Sequence, residues 1–306
     1  MQATNNILLI RPSSFAFNAG TAISNTFQIK LNESEEEIKQ KKLAEFELFV
    51  QTLTANGVNV FVVDDTVLPE KPDAIFPNNW VSFHADGTVI LYPMCAVNRQ
   101  HERRQDIIDL LKKSFIVNNI IDLSKYESEH KYLEGTGSII FDHVHKIAYA
   151  CLSPRTDKAL FIEVCTLLNY RPIYFYAYDN NGQEIYHTNV MMCIAEKFSA
   201  ICLDSITNQA EKELVVQSLT QTGHQIVDIS FEQMSNFAGN MLELKNKNNQ
   251  SLLALSQSAY NSLTTTQKTE IEKYTELVPL TIKTIETIGG GSARCMIAEI
   301  FLQPIV

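Results

Sequence analysis

FPNNWVSF (76–83) is the first of five short segments in which a polar residue opens an apolar run. The others are EGTGSIIF (134–141), HTNVMMCI (187–194), NFAGNMLEL (236–244) and GSARCMIAEI (291–300). Asn79, Glu134, His187, Asn240 and Cys295 hold the same place in the five, 55, 53, 53 and 55 residues apart. Before each motif come a helical stretch and a β-rich run: VNVFVVDD (58–65), NIIDLS (119–124), RPIYFYAYD (171–179), HQIVDIS (224–230) and VPLTIKTI (278–285). After four of them comes a second apolar strand, in TVILYPM (88–94), KIAYACLSPR (146–155), SAICLDS (199–205) and LLALSQSAY (252–260). The fifth copy lacks that strand, and NILLIRPS (6–13) supplies it from the other end of the chain. A repeat completed by the opposite terminus closes a ring, and equivalent positions in a ring face one axis. The expectation is an α/β ring of five units forming a single domain over 1–306, with a Cys, a His, a Glu and several Asn meeting at its centre.

The stretches between the repeats read as outer helices. ESEEEIKQKKLAEFELFVQTLTANG (33–57) begins with acids, as the helix dipole prefers, and ends near Gly57. Its Ile38, Leu43, Phe46, Phe49, Val50 and Leu53 recur at helical spacing and would cover a sheet. HERRQDIIDLLKKSF (101–115), DKALFIEVCTLLNY (157–170), NQAEKELVVQSLTQTG (208–223) and TTTQKTEIEKY (264–274) read the same way, with Gly57 and Gly223 at C-terminal caps.

Bulk properties exclude several classes of function. The net charge is −10 and basic residues form no long run, which argues against nucleic acid. No stretch reaches 18 uninterrupted apolar residues, so no membrane helix is expected. The start, MQATNNILLIRPSS, lacks the basic and apolar regions of a signal peptide. Six cysteines without paired spacing do not form a disulfide framework. Cys95, Cys151, Cys165, Cys193 and Cys202 lie in apolar runs and read as buried thiols. The expected setting is cytoplasmic, with a small-molecule amino-acid substrate, no cofactor, and room for a homo-oligomer. His143 and His145 in DHVHK lack a nearby third ligand, so no metal is expected. GGGS (289–292) lacks the Lys of a phosphate loop and reads as a point of close backbone approach.

A thiol attacks well only as the thiolate, so Cys295 needs a neighbour such as His187 to take and return a proton. Glu134 could orient that imidazole, as the third member of a triad does. The order Glu, His, Cys is not that of papain-like enzymes. Singly, each residue has a bland reading as a structural His or a buried thiol; their matched repeat positions make the joint case. Asn236 and Asn240 read as axial ligands or as strand-end turn residues, with Asn240 structural or supporting the site, and Phe76 and Trp80 as flanking the pocket or equally as apolar packing.

The ordered set of motifs resembles the guanidino-group-modifying superfamily, the pentein α/β-propellers that include arginine deiminase, dimethylarginine dimethylaminohydrolase, amidinotransferases and arginine dihydrolases. PDAIF (72–76), EGTGS at Glu134, LSPRT (152–156), HTN (187–189) and GGGSARC (289–295) carry the likeness across nearly the whole chain. Within the superfamily it looks closest to the citrulline-utilisation hydrolases. The resemblance implies a five-bladed propeller with pseudo-fivefold symmetry. It implies Cys295 as nucleophile on the carbon of a guanidino or ureido group, His187 as acid and base, and Glu134 as the group that binds the substrate nitrogens and supports His187. It implies substrate binding by Arg155, which would grip an α-carboxylate, by Asp73, and by Asn25 in TAISN (21–25). Amidino transfer, a dimethylarginine dimethylaminohydrolase-like hydrolysis, and partner binding without catalysis are the alternatives the superfamily holds.

Deiminases of the superfamily place carboxylates after PDxxF and two residues after the His. Here those places hold Asn78 or Asn79, and Asn189. A carboxylate only accepts hydrogen bonds and suits a cation, whereas an amide can donate to the carbonyl of a neutral ureido group. The site therefore reads as shifted toward citrulline, with the repeat register favouring Asn79 over Asn78 as the inward residue.

Overall fold

The structure is a computed structural model that describes residues 1–14, 18, 20–21, 25, 27–29 and 34–305. Strands and helices alternate along the chain. The first third holds β1 Asn6–Arg11, α1 Glu35–Ala55, β2 Asn59–Asp64, β3 Val81–Phe83, β4 Thr88–Leu91, α2 Val97–Gln100 and α3 Gln105–Leu111. The middle holds β5 Asn119–Asp122, α4 Gly135–Ser138, β6 Ile140–Asp142, β7 Ile147–Cys151, α5 Lys158–Leu168, β8 Arg171–Phe175, α6 Thr188–Met191, β9 Met192–Ile194 and β10 Phe198–Ile201. The last third holds α7 Gln209–Gln221, β11 Gln225–Asp228, α8 Phe231–Ser235, β12 Leu242–Lys245, β13 Ser251–Ser256, α9 Gln257–Ser262, α10 Thr265–Glu272, β14 Glu276–Leu280, α11 Lys283–Gly289 and β15 Ala298–Glu299.

Among the described residues the strands form five sheets of three, none closed into a barrel: β3-β4-β5, β6-β7-β8, β9-β10-β11, β12-β13-β14 and β15-β1-β2. In every sheet the central strand pairs antiparallel with the motif strand and parallel with the outer one, as β4 does at Val81↔Leu91 and Thr88↔Asn119. A parallel neighbour requires a crossover, which the intervening helices provide. The N-terminal strand β1 is the centre of the last sheet, joining β15 at Ile7↔Glu299 and β2 at Asn6↔Asn59.

Central strands are buried on both faces, as in β4 and β7, while outer strands such as β2 and β5 are half exposed. The helices cover the outer strands with Phe46, Phe49 and Leu53 of α1 and Leu160, Phe161 and Val164 of α5. Helix α1 begins with a capping box between Ser34 and Glu37, and the Glu33 expected to open it lies outside the described residues. Its Leu43 is exposed rather than packed on the sheet, on the solvent side of the stripe formed by Phe46, Val50 and Leu53. Gly57 and Gly223 take positive φ just past the ends of α1 and α7. Cys95 is only half-buried, on the turn before α2, whereas the other cysteines of the apolar runs are buried.

The polar motifs do not open directly into strands. Residues 77–79 form a 3-10 turn, and 135–138 and 188–191 form the single helical turns α4 and α6, each followed by the motif strand. The second half of VPLTIKTI is also not a strand. Residues 283–289 are α11, because Ile282, Ile285 and Ile288 bury one side and the Glu45 carboxylate of α1 accepts the amides of Thr284 and Ile285 at 2.8 and 3.0 Å.

Candidate active site

The short turns fix where the polar residues point. Glu134 and His187 stand immediately before α4 and α6, and Thr188 Oγ1 ties the turns by donating to the Ser138 carbonyl at 2.5 Å. Ser138 Oγ in turn donates to the Arg155 carbonyl at 3.0 Å and accepts the Glu134 amide at 3.1 Å. Gly137 lets these segments close: a Cβ there would lie 2.4 Å from Asn79 Nδ2 and 2.8 Å from His187 Nδ1.

Glu134, fully buried, sits at the centre of the polar cluster. Its Oε2 lies 2.8 Å from His187 Nε2, 3.6 Å from Arg155 and 3.8 Å from Arg99, and its Oε1 accepts the Cys95 amide at 2.9 Å. Burial alone would raise its pKa, but Arg155, the His187 hydrogen bond and Arg99 outweigh it and hold the carboxyl well below the usual range. His187 is pushed down to about 4, since burial outweighs the bond and charge of Glu134. The imidazole is therefore neutral at physiological pH and able to accept a proton.

The Cys295 thiol is buried on a turn that precedes β15. Asn189 Nδ2 and Asn240 Nδ2 point at Sγ from 3.3 and 3.2 Å. Asn240 also donates to the Asn189 carbonyl at 2.9 Å and accepts the amides of Arg294 and Cys295 at 3.0 and 3.4 Å. Asn236, by contrast, bonds only locally to the Glu232 carbonyl, at the end of α8.

Asn25, Asp73, Phe76, Asn79, Arg99, Arg155, Tyr186, His187, Gly289 to Gly291 and Cys295 line a small pocket of about 20 Å³. Asn79 lines it, and Asn78 is buried outside the lining with both amide atoms unpartnered. Asn79 Oδ1 accepts from Arg99 at 3.0 Å, while its Nδ2 is buried without a partner among the described residues. Asn189 lies behind the thiol rather than in the lining. Asp73 accepts from Asn18 at 2.7 Å and lies 3.7 Å from Arg99. Arg155 stacks over Tyr186 at 4.8 Å. Asn25 donates to the Gly289 carbonyl at 3.2 Å, and of the rest of TAISN only Thr21 is among the described residues. The glycines pack on the Phe76 ring: a Cβ at Gly289 or Gly291 would lie 2.7 or 2.9 Å from it. Trp80 is buried in the hydrophobic core, the packing reading of the two.

Sequence reading missed Arg99 and Glu102. Arg99 is buried on α2, donates to Glu102 at 2.8 and 2.9 Å, and reaches Asn79 and Asp73. Burial pushes the Glu102 carboxyl up to about 7 against the pull of Arg99. Their i, i+3 spacing in VNRQHE was the only local signal, and it is common on solvated helices. Away from the pocket, ligand atoms of Asp142, His145 and His224 lie within 4.8 Å of one another. His145 Nδ1 contacts the Asp142 carboxylate at 2.9 Å, and the nitrogens of His224 meet Thr222 and Ala195, so these groups satisfy one another.

Residues 11–302 match the family described as N,N dimethylarginine dimethylhydrolase, eukaryotic. The chain belongs to this family, and so to the guanidino-group-modifying superfamily. No curated protein sequence matches it. Among solved structures, the cyanobacterial arginine dihydrolase ArgZ superposes with a TM-score of 0.75 at 15% identity, over 98% of this chain and 41% of that one. The N-terminal domain of ArgZ bound to substrate gives 0.73 at 15% identity, over 97% of this chain and 99% of that domain. A dimethylarginine dimethylaminohydrolase carrying an S-methyl-L-thiocitrulline adduct gives 0.65 at 12% identity, over 98% of this chain and all of that one, at 100%. This chain thus spans about two fifths of full-length ArgZ and the whole of its N-terminal domain.

Proposed function

We propose that this chain is a hydrolase of guanidino or ureido C–N bonds that acts on citrulline, either supplied directly or formed from arginine. The observation that carries the reading is the convergence of Cys295, His187, Asn79 and two buried guanidinium groups on one pocket. As Cys295 attacks the central carbon its thiol proton passes to His187, and the tetrahedral adduct collapses as the imidazolium returns that proton to the departing ammonia. From citrulline this leaves a thiocarbamate. Water, deprotonated by His187, then displaces the thiolate, and the carbamate decomposes to ornithine and carbon dioxide. Glu134 keeps the imidazole oriented and balances the imidazolium as it forms. Arg155, with Arg99 beside it, supplies the positive field for an amino-acid carboxylate.

Asn79 supports the ureido reading. Because Arg99 can only donate, its bond to Oδ1 fixes the amide and turns the unpartnered Nδ2 into the donor available to a substrate carbonyl. Asp73 in the lining favours a cation as well, which suits arginine as a first substrate. The match to a dimethylarginine hydrolase family makes a methylated arginine the second reading. Amidino transfer differs only in that an amine resolves the intermediate.

The same reading takes residues 1–306 as one catalytic domain, with the five sheets as blades of a pseudo-fivefold propeller closed by β1. The side-by-side placement of β15 with β3, β6 with β9 and β9 with β12 supports that arrangement. Six free cysteines suit a reducing, cytoplasmic setting. A small-molecule substrate is the partner proposed, and a homo-oligomer is compatible with it.

The test is incubation of the purified protein with arginine, citrulline and asymmetric dimethylarginine, with assay of ornithine, citrulline, ammonia and dimethylamine. Citrulline should be consumed to ornithine and ammonia, and Cys295→Ser should be inactive because its hydroxyl is a far weaker nucleophile. Citrulline accumulating untouched from arginine would make this a deiminase; dimethylamine release would establish the second reading.

A further inference from the structure

The Cys295 sulfur receives amide donors from two repeats, and they are not equivalent. Asn240 has a determined orientation. Its Oδ1 takes the amides of Arg294 and Cys295, and one Nδ2 hydrogen goes to the Asn189 carbonyl, which leaves the other for Sγ at 3.2 Å. A flipped amide would set its oxygen against that carbonyl and its NH2 against two N–H groups. Asn189 is less constrained: its Oδ1 is buried without a partner, so only its contact with sulfur orients the side chain. A sulfur approached by two N–H groups is asked to accept twice, which suits a thiolate better than a thiol.

We propose that Asn240 stabilises the Cys295 thiolate through its Nδ2–H and is a catalytic residue of the proposed reaction. This rests on the reading of Cys295 as the nucleophile and adds the group that stabilises the thiolate as its proton leaves. Asn240 occupies the fourth axial position of the repeat, where the equivalent residues are Asn79, Glu134, His187 and Cys295. His187 directs Nε2 to Glu134 at 2.8 Å, while the two amides attend the sulfur. The division of labour is an amide cradle for the nucleophile and an imidazole for the leaving group and water.

The experiment needs no substrate. Cys295 is alkylated with iodoacetamide, forming the S–C bond as iodide departs, and the modified peptide is quantified by mass spectrometry from pH 6 to 10. Asn240→Asp keeps an oxygen for the Arg294 and Cys295 amides but replaces the sulfur's donor with an anion. Its alkylation rate near neutral pH should fall by roughly tenfold or more, the loss of one charge-assisted hydrogen bond. Its pH–rate profile should move to the alkaline side. A variant that keeps wild-type rate and profile overturns the proposal. Should Asn240→Asp fail to fold, Asn189→Ser decides the matter: with Asn240 as the remaining donor it should keep more than about a tenth of the wild-type rate. Near-complete loss in that variant would assign the thiolate to Asn189 and overturn the proposal too. Turnover is read separately. Altered alkylation in a protein inactive on citrulline, arginine and dimethylarginine would sustain Asn240 and reject the substrate reading.

Discussion

At the scale of single residues, Asn79 and His187 make the sharpest claims. In Asn79→Asp the bond to Arg99 survives, but the donor into the pocket becomes a second acceptor. Facing a ureido carbonyl, that mismatch should cost about 2–4 kcal/mol, or roughly 30- to 1000-fold in citrulline turnover. Arginine binding should be retained, so the variant should release ammonia from arginine and stop at citrulline. Equal citrulline kinetics in variant and wild type would remove Asn79 from substrate recognition. His187 predicts an acid sensitivity. An unfolded imidazole takes a proton near about 6.5, whereas in the fold His187 holds out to about 4. Its contribution is therefore present above the unfolded value, fades as pH falls from about 6.5 to 4, and levels off below, for a loss of about 3 kcal/mol. Glu134, depressed still further, fades only below the ordinary carboxylate range of about 4.3, beneath all but the lowest end of that window. Urea denaturation of wild type and His187→Gln between pH 7 and 4.5 checks it. The variant should lose less stability on acidification, because His84 and His143, also held neutral by burial, remain in both proteins.

At the scale of elements, the single helical turns α4 and α6 and the 3-10 turn at 77–79 bring three motifs to one point. Gly137 is where they touch, and the expected effect of Gly137→Ala is mainly catalytic. Its methyl would push on Asn79 Nδ2 and His187 Nδ1 together. A shift of about 1 Å at the reacting groups costs on the order of 100-fold in rate, while overpacking costs about 1–3 kcal/mol of stability. Steady-state kinetics and thermal melting separate the two, and full activity in the variant would show that the turns have slack. These turns also show why local patterning ran one step short. EGTGSIIF and HTNVMMCI carry strand-like apolar tails, and a four-residue helical turn leaves no periodicity to find.

At the scale of the whole molecule, β1 makes the ends of the chain interdependent. Ile7, Leu8 and Leu9 are fully buried and Ile10 nearly so, in a strand that pairs on both edges. Deleting residues 1–11 would forfeit about 2 kcal/mol for each of these side chains, together comparable with the 5–15 kcal/mol that holds a typical domain folded. The truncated protein should show no cooperative unfolding transition by circular dichroism. A folded, cooperatively melting truncation would mean that the remaining four sheets stand alone.

What the chain alone determined was the repeat and its punctuation. Alternating apolar runs at a spacing of 53 to 55 residues required five like units, and the orphan strand at residues 6–13 had only the incomplete fifth unit to join. The residues opening each motif were legible for the same reason, since equivalent positions in like units share an environment. The tertiary structure decided what no window of sequence contains. Arg99 enters the pocket because α2 is a short turn packed beneath Asn79 and Asp73, not because its own neighbours are unusual. The helix at 283–289 exists because Glu45, some 240 residues away, receives its first amides. Asn240 faces the sulfur because three backbone groups, two of them in the next repeat, leave its amide no other orientation. Periodicity is a property of neighbours in the chain; the direction of a buried polar group is set by the partners that folding brings to it.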